Sequence, residues 1–349
     1  MFQSLFRLSV LCLIIIGCSK NNPDGDNNLP DNPENSIKNG LDTSLLDIAA
    51  QNASKAENFQ ALYIVKNGEV MVEEYFNGNA SDTKFHLRSI TKNITSVLVG
   101  IAIEDGVLDG LDYGIKELYQ DLLIGEKESL TIRNLLNMTA GLPWDEQTEV
   151  LDLIEGRMSN PIENLLSRAL ESEPGSTFNY NTLLTHLTGE IIGRKSNSSM
   201  ADYANSKLFI PLDIGSFEWE KDLEGNVWGG TGLQLTMEDL AKFGQLFLDK
   251  GRWDGEQLVS QEWIEQSSTV QLQIPQSSSG YSLHWYVADN LDKKVVFGQG
   301  YGGQYLMLIP DENMMIIAAQ EHLVTYSQNT QQSNNFLNNV FPVIYQSIQ

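Results

Sequence analysis

Strand-forming stretches lie at both ends of the apolar part of this chain, and helical periodicity fills the long region between them. Ala61-Leu62-Tyr63-Ile64-Val65 is an unbroken apolar run of strand length. Lys66-Asn67-Gly68-Glu69 follows it. Asn-Gly accepts positive φ at both central positions of a tight turn, so residues 70–75 are expected to return as a partner strand. Strand signals come back only near the C-terminus, over 282–287, 294–297, 304–309 and 314–319. These runs are short, apolar and separated by turn residues. Between the two sets, apolar spacing predicts helices over 130–138, 161–171 and 236–248, and a closing helix over 333–346. A chain that gives strands from both ends to one sheet must carry its middle as an insert. The expected class is α+β. Residues 41–349 form the domain, with the sheet from about 41–105 and 275–349 and a helical insert over about 106–274. No internal repeat is visible.

The first 40 residues do not belong to that pattern. Residues 1–17 hold one positive charge, Arg7, followed by an apolar stretch over 8–16. A bilayer-spanning helix takes roughly 20 residues, so this run fits the apolar part of a signal peptide instead. Ile15-Ile16-Gly17-Cys18 has the form of a bacterial lipobox. Cleavage before Cys18 would free a cysteine for lipid attachment. Residues 18–40, dense in Asn, Asp, Pro and Gly, read as a flexible tether. The expectation is an exported bacterial lipoprotein, held by lipid on the periplasmic or cell-surface face of a membrane. Cys12 and Cys18 are the only cysteines. The mature domain therefore has no disulfide, no thiolate metal site and no cysteine nucleophile.

Acidic residues outnumber basic ones by 46 to 22, a net charge of −24. That balance argues against nucleic acid, which wants a basic footprint, and against a polybasic membrane-binding face. The four histidines, His86, His186, His284 and His322, show no ligand spacing. There is no Gly-x-Ser-x-Gly elbow, no His-Glu-x-x-His and no phosphate-binding loop of the Walker type.

Two Ser-x-x-Lys tetrads occur, Ser81-Asp82-Thr83-Lys84 and Ser89-Ile90-Thr91-Lys92. The first lies in a polar loop. The second opens a helix whose apolar positions, Ile90, Ile94, Val97, Leu98 and Ile101, mark it as buried. Positions i and i+3 share a helix face, so the Lys92 amine reaches the Ser89 hydroxyl. Burial disfavours the ammonium form, and a neutral amine can take the serine proton. Backbone N–H groups in a first helical turn have no helical partner and favour a developing oxyanion. Tyr180, in Phe178-Asn179-Tyr180-Asn181-Thr182, gains meaning only if it faces Ser89, where a phenol beside an ammonium can shuttle protons. Gly298-Gln299-Gly300-Tyr301-Gly302-Gly303 matches a dinucleotide fingerprint. A strand follows it instead of a helix, so that reading fails. The glycines are expected instead to bare a backbone edge for close approach of substrate and to offer an N–H to an oxyanion.

Taken with Leu130-Thr131-Ile132-Arg133-Asn134-Leu135-Leu136-Asn137-Met138-Thr139-Ala140-Gly141-Leu142 and Pro174-Gly175-Ser176-Thr177-Phe178-Asn179-Tyr180-Asn181, these motifs resemble the β-lactamase-related serine hydrolases. The likeness is to the branch related to class C β-lactamases, which includes esterases, D-amino-acid peptidases and nylon-oligomer hydrolases. Gly229-Gly230-Thr231-Gly232-Leu233 and Gly300-Tyr301-Gly302-Gly303-Gln304 extend it, over about residues 41–345. The resemblance implies an antiparallel sheet of about five strands with flanking helices and an all-helical subdomain. It implies an acyl-enzyme on Ser89, activation by Lys92, a proton shuttle at Tyr180 and an oxyanion held near Ser89, Gly300 and Tyr301. It implies no metal or cofactor. The chain departs from the penicillin-recognising members in two places. It has no Lys-Thr-Gly, with Gln299 read in that place, and Thr182 stands where those members carry an Asn. Both Thr182 and Gln299 are expected to face substrate. The departures favour a small ester or amide over a β-lactam or a D,D-peptide. A catalytically idle surface lipoprotein is the reading from another class, opposed by the intact Ser89, Lys92 and Tyr180.

Overall fold

The computed structural model describes residues 37–349. The expected signal peptide, most of the tether and Cys18 lie outside the described residues. Eight strands form the main sheet: β1 (Phe59–Lys66), β2 (Glu69–Tyr75), β3 (Leu272–Gln273), β4 (Gly280–Ser282), β5 (Trp285–Ala288), β6 (Val295–Gly300), β7 (Gln304–Ile309) and β8 (Met314–Gln320). Their order is β3-β4-β5-β6-β7-β8-β1-β2, with every pair antiparallel. The two N-terminal strands complete a sheet begun by C-terminal ones. Asn67 and Gly68 both take positive φ in the β1–β2 turn, 52° and 75°. That is the geometry an Asn-Gly hairpin favours.

The sheet is wider than the expected five strands. The run over 282–287 reads as one strand, but Leu283 and His284 adopt φ of 45° and 71° and fold it into a hairpin. Two successive non-glycine residues in that region are uncommon. Tertiary bonds hold it: Leu283 N donates to Asn137 Oδ1 (2.8 Å) and His284 N to the Leu136 carbonyl (3.0 Å).

Six helices frame the sheet and the region around Ser89: α1 (Thr43–Ser54), α2 (Thr91–Glu104), α3 (Glu146–Ile154), α4 (Thr182–Ser196), α5 (Met237–Leu248) and α6 (Phe341–Gln346). Strand side chains alternate between faces. Leu306 and Leu308 of β7 and Met315 of β8 meet α5 around Gly244. Tyr305, one step along, stacks on Phe336 at 4.6 Å on the other face, where the C-terminal helices lie. The closing helix is not continuous over 333–346. It runs Tyr326–Asn335, widens to a π turn over Phe336–Val340 and restarts as α6 with Pro342 in its first turn. Proline has no N–H for the preceding turn, which explains the change of register.

α2 is buried along nearly its whole length, Thr91 through Ala102. A helix apolar on one stripe sits at a surface; one enclosed on every side sits in the core. Its polar residues, Lys92, Asn93, Thr95 and Ser96, are therefore locked among protein atoms, each less than 2% exposed.

Candidate active site

Ser89 lies in a short 3-10 turn, Arg88–Ile90, that runs straight into α2. The helix proper starts two residues later than the sequence suggests. Arg88 takes φ of 50°, a strained value for a non-glycine. Its N–H donates to His86 Nδ1 (3.0 Å) and its Nη2 to the His322 carbonyl (3.0 Å), and the two imidazoles stack at 4.5 Å. This scaffold fixes the residue before the nucleophile candidate. His86 and His322 thus pack against each other behind this turn. His186 is packed as well, paired through Nε2 with Asp222 (3.1 Å).

Lys92 reaches back one turn, and its Nζ stands 2.9 Å from Ser89 Oγ. The same nitrogen bonds Thr182 Oγ1 (2.9 Å) and the Gly230 carbonyl (2.8 Å). A neutral amine fits this cage well: two N–H bonds serve Thr182 and Gly230, and the lone pair faces the serine proton. Burial pulls the amine down to about 8, opposed by Glu146. His284, buried close by, is held well below its ordinary value by burial and by the Lys92 charge.

Glu146, at the start of α3, is the residue that sequence reasoning missed. Its Oε2 accepts from Thr182 N (2.9 Å) and from Trp144 Nε1 (2.6 Å), and its Oε1 accepts from the Thr182 hydroxyl. Burial raises its carboxyl above the usual range, against the pull of Lys92 and these three bonds. Lys92, Thr182 and Glu146 form one continuous hydrogen-bonded chain. One glutamate among 46 acidic residues carries no mark in the sequence; only the fold brings it here.

Glycines shape the site by close contact with protein. A Cβ on Gly230 would stand 2.8 Å from the Thr182 carbonyl, and one on Gly229 2.4 Å from that of Thr185. Without side chains the loop lies flat on α4 and delivers its carbonyl to Lys92. On β6, a Cβ at Gly298 would fall 2.1 Å from Asn93 Oδ1, and one at Gly300 2.5 Å from the Leu87 carbonyl. These two glycines press the strand onto α2 and the Ser89 turn. The close approach that these glycines allow is thus to α2 and the Ser89 turn on the Cβ side of the strand.

The fold brings Tyr180 to Lys92, with its ring centroid 5.0 Å from Lys92 Nζ. Thr182 does not meet the expectation of a substrate contact. It is 2% exposed, and its hydroxyl is engaged by Lys92 and Glu146. Gln299 is likewise corrected. Gly298 and Gly300 face α2, so the alternation of the strand sends Gln299 to the other side. There it donates to Tyr305 Oη (3.1 Å). Gly300 lies against Leu87 and Arg88 at the Ser89 turn, while the side chain of the next residue, Tyr301, turns outward, 38% exposed, and donates to the Val324 carbonyl (2.9 Å).

A family model described as Beta-lactamase matches residues 52–333. The chain belongs to the beta-lactamase family. It is similar to the 6-aminohexanoate-dimer hydrolase of Paenarthrobacter ureafaciens, 23% identical over 280 residues, covering 74% of this chain and 71% of that one. Among solved structures it resembles EstCE1, described as a hydrolase with promiscuous acyltransferase activity. The TM-score there is 0.71 at 15% identity, over 87% of this chain and 99% of that one. It also resembles the D-alanine carboxypeptidase AmpC of Burkholderia cenocepacia, with a TM-score of 0.64 at 16% identity, over 84% and 98%. Family membership makes this a hydrolase fold with an antiparallel sheet and flanking helices. Behind the lysine this chain places a Thr182–Glu146 pair and the Gly230 carbonyl.

Proposed function

We propose that this chain hydrolyses a small ester or amide through an acyl-enzyme on Ser89. The observation that carries the reading is a fully enclosed amine 2.9 Å from a hydroxyl at a helix start. In this mechanism neutral Lys92 takes the Ser89 proton as Oγ attacks the substrate carbonyl. Tyr180, beside the resulting ammonium, passes a proton to the leaving group. The N–H groups of Ser89 and Tyr301 hold the oxyanion. Water, activated by the same groups, then releases the acid.

The substrate preference rests on β6. A carboxylate-recognising site needs a cation, whose charge-assisted bond contributes roughly 1.5–3 kcal/mol. The two β6 positions that face α2 are glycines and supply none. Neutral esters and amides are therefore favoured over β-lactams and D,D-peptides. EstCE1, a hydrolase with promiscuous acyltransferase activity, agrees with acyl transfer on this fold.

A fluorophosphonate probe tests the nucleophile. Labelling of one serine is expected, and labelling that survives Ser89→Ala moves the nucleophile elsewhere. A panel of p-nitrophenyl esters, nitrocefin and D-Ala-D-Ala peptides tests the class. Turnover of nitrocefin faster than of the esters would overturn the preference and install the β-lactamase reading. No turnover and no labelling would favour the idle surface protein. The same proposal places the protein at a membrane through lipid on Cys18. Incorporation of an alkyne fatty acid in growing cells, lost in Cys18→Ala, is the expected result, and incorporation that persists refutes the anchor.

A further inference from the structure

Behind Lys92 the structure holds a carboxylate enclosed by three donors and linked through Thr182 to the amine. Trp144 Nε1 and Thr182 N are satisfied by one oxygen, Oε2. The other, Oε1, accepts from the Thr182 hydroxyl, and that hydroxyl in turn accepts from Lys92. A carboxylate placed there for packing alone would be costly, since a buried charge is stable only when paired and hydrogen-bonded.

We propose that Glu146 is the proton store of this site, holding through Thr182 the proton that Lys92 must shed to act as a base. The proposal rests on the acyl-enzyme reading above. Glu146 acts through Thr182 and Lys92 and is a positioning residue, not a catalytic one. The exchange balances atom for atom. An N–H proton of the Lys92 ammonium moves to Thr182 Oγ1 as the Thr182 proton moves to Glu146 Oε1. An ammonium and a carboxylate become an amine and a carboxylic acid, with no charge left in the core. A turn about Cε–Nζ then aims the lone pair at Ser89. The Ser89 proton passes to Nζ as Oγ bonds to the carbonyl carbon. Reversal of the exchange after deacylation restores the pair. Burial draws the two groups together in acidity, Lys92 downward and Glu146 upward, which is the condition for sharing one proton.

Such a pair stays active with one proton aboard and fails only when a second is added. The acid limb of its activity therefore lies at the lower of the two titrations. The test is the pH profile of kcat/KM for p-nitrophenyl acetate in wild type and Glu146→Gln. With the store removed, the amine must lose its own proton to the solvent, and the acid limb moves to higher pH. At about pH 6 the variant is expected to fall about 10-fold or more below wild type, and the gap narrows toward about pH 9. A carboxylate that merely stabilised the ammonium would give the opposite sign: its removal would lower the amine and move the limb to lower pH. A limb that moves down or stays in place overturns the proposal. Should Glu146→Gln not fold, Thr182 carries the test. Thr182→Val cuts the bridge and is expected to lower kcat about 10-fold, with Thr182→Ser recovering most of that loss. Equal rates in the two variants also overturn it. Ser89→Ala separates the two readings. If it abolishes hydrolysis while Glu146→Gln leaves the profile unmoved, only the proton store fails. If hydrolysis survives Ser89→Ala, the acyl-enzyme itself fails.

Discussion

The same four-residue spacing occurs twice within a dozen residues, and the two copies have opposite surroundings. Ser81 is exposed in a turn, and Lys84 points to Glu218 on the surface at 3.1 Å, with the glutamate side chain 62% exposed. Ser89 opens a core helix, and Lys92 is enclosed by Ser89, Thr182 and the Gly230 carbonyl. Enclosure pulls the Lys92 ammonium toward neutrality. A motif of residue types therefore states a possibility, and burial turns it into chemistry. The largest way to break this comparison is at the hydroxyls. Ser89→Ala is expected to reduce ester hydrolysis by about 1,000-fold or more, while Ser81→Ala leaves the rate unchanged. Equal rates in the two variants, measured with p-nitrophenyl esters, would erase the distinction.

The lysines sharpen the contrast in stability as well as rate. A fall from 10.5 to about 8 means that enclosing the Lys92 ammonium opposes folding by roughly 3 kcal/mol. The penalty is fully present below about pH 8, where folded and unfolded chains both carry the charge. Between about 8 and 10.5 the folded amine is neutral and the unfolded one is charged. Unfolding then takes up a proton, so stability rises with pH across that window. Lys92→Met is expected to abolish activity and to remove that rise. It leaves Glu146 without its cation, so Lys92→Met with Glu146→Gln should be the more stable protein, by about 1–3 kcal/mol over the single variant. Lys84→Met should change stability by less than about 1 kcal/mol, as surface pairs with one exposed partner do. Urea titrations at several pH values decide this. A rise with pH that survives Lys92→Met would assign it to another group.

How much of the fold and site is legible in the sequence depends on the range of the forces involved. Local signals are readable. Asn67-Gly68 sets the β1–β2 turn, the α2 periodicity marks burial, and i,i+3 spacing joins Ser89 to Lys92. The placement of Tyr180 next to Lys92 needs the family likeness, because nearly ninety residues separate them. Three features are out of reach. The Leu283-His284 turn is held by Asn137 and Leu136 from another part of the chain, against its own φ preferences. Glu146 looks like any helix-start acid until Thr182 and Trp144 are folded over it. Gln299 and its neighbours alternate between faces, and a one-residue choice of register decides which of them looks at α2. The sequence offers Gln299; the pleat selects Gly298 and Gly300.

That selection supplies the smallest and most local test. Gly298 and Gly78 are both glycines near the two Ser-x-x-Lys copies, and they are glycine for different reasons. Gly78 has φ of 81° with nothing within 4 Å of an added Cβ, so Gly78→Ala costs backbone strain, about 1 kcal/mol, and leaves the site untouched. Gly298→Ala sets a methyl 2.1 Å from Asn93 Oδ1. Asn93 cannot swing away cheaply, because its Nδ2 holds the His284 carbonyl at 2.9 Å in the core. The strand must retreat from α2, at a cost of about 1–3 kcal/mol. Since β6 leads directly to the Tyr301 backbone, that retreat also widens the gap across which an oxyanion would be held. Gly298→Ala should therefore lower kcat by about 10-fold or more under conditions where it is still folded, and Gly78→Ala should not. Thermal melts beside ester kinetics separate the two costs. A Gly298→Ala protein that is destabilised yet turns over at the wild-type rate would show that the β6 contact serves the fold and not the chemistry.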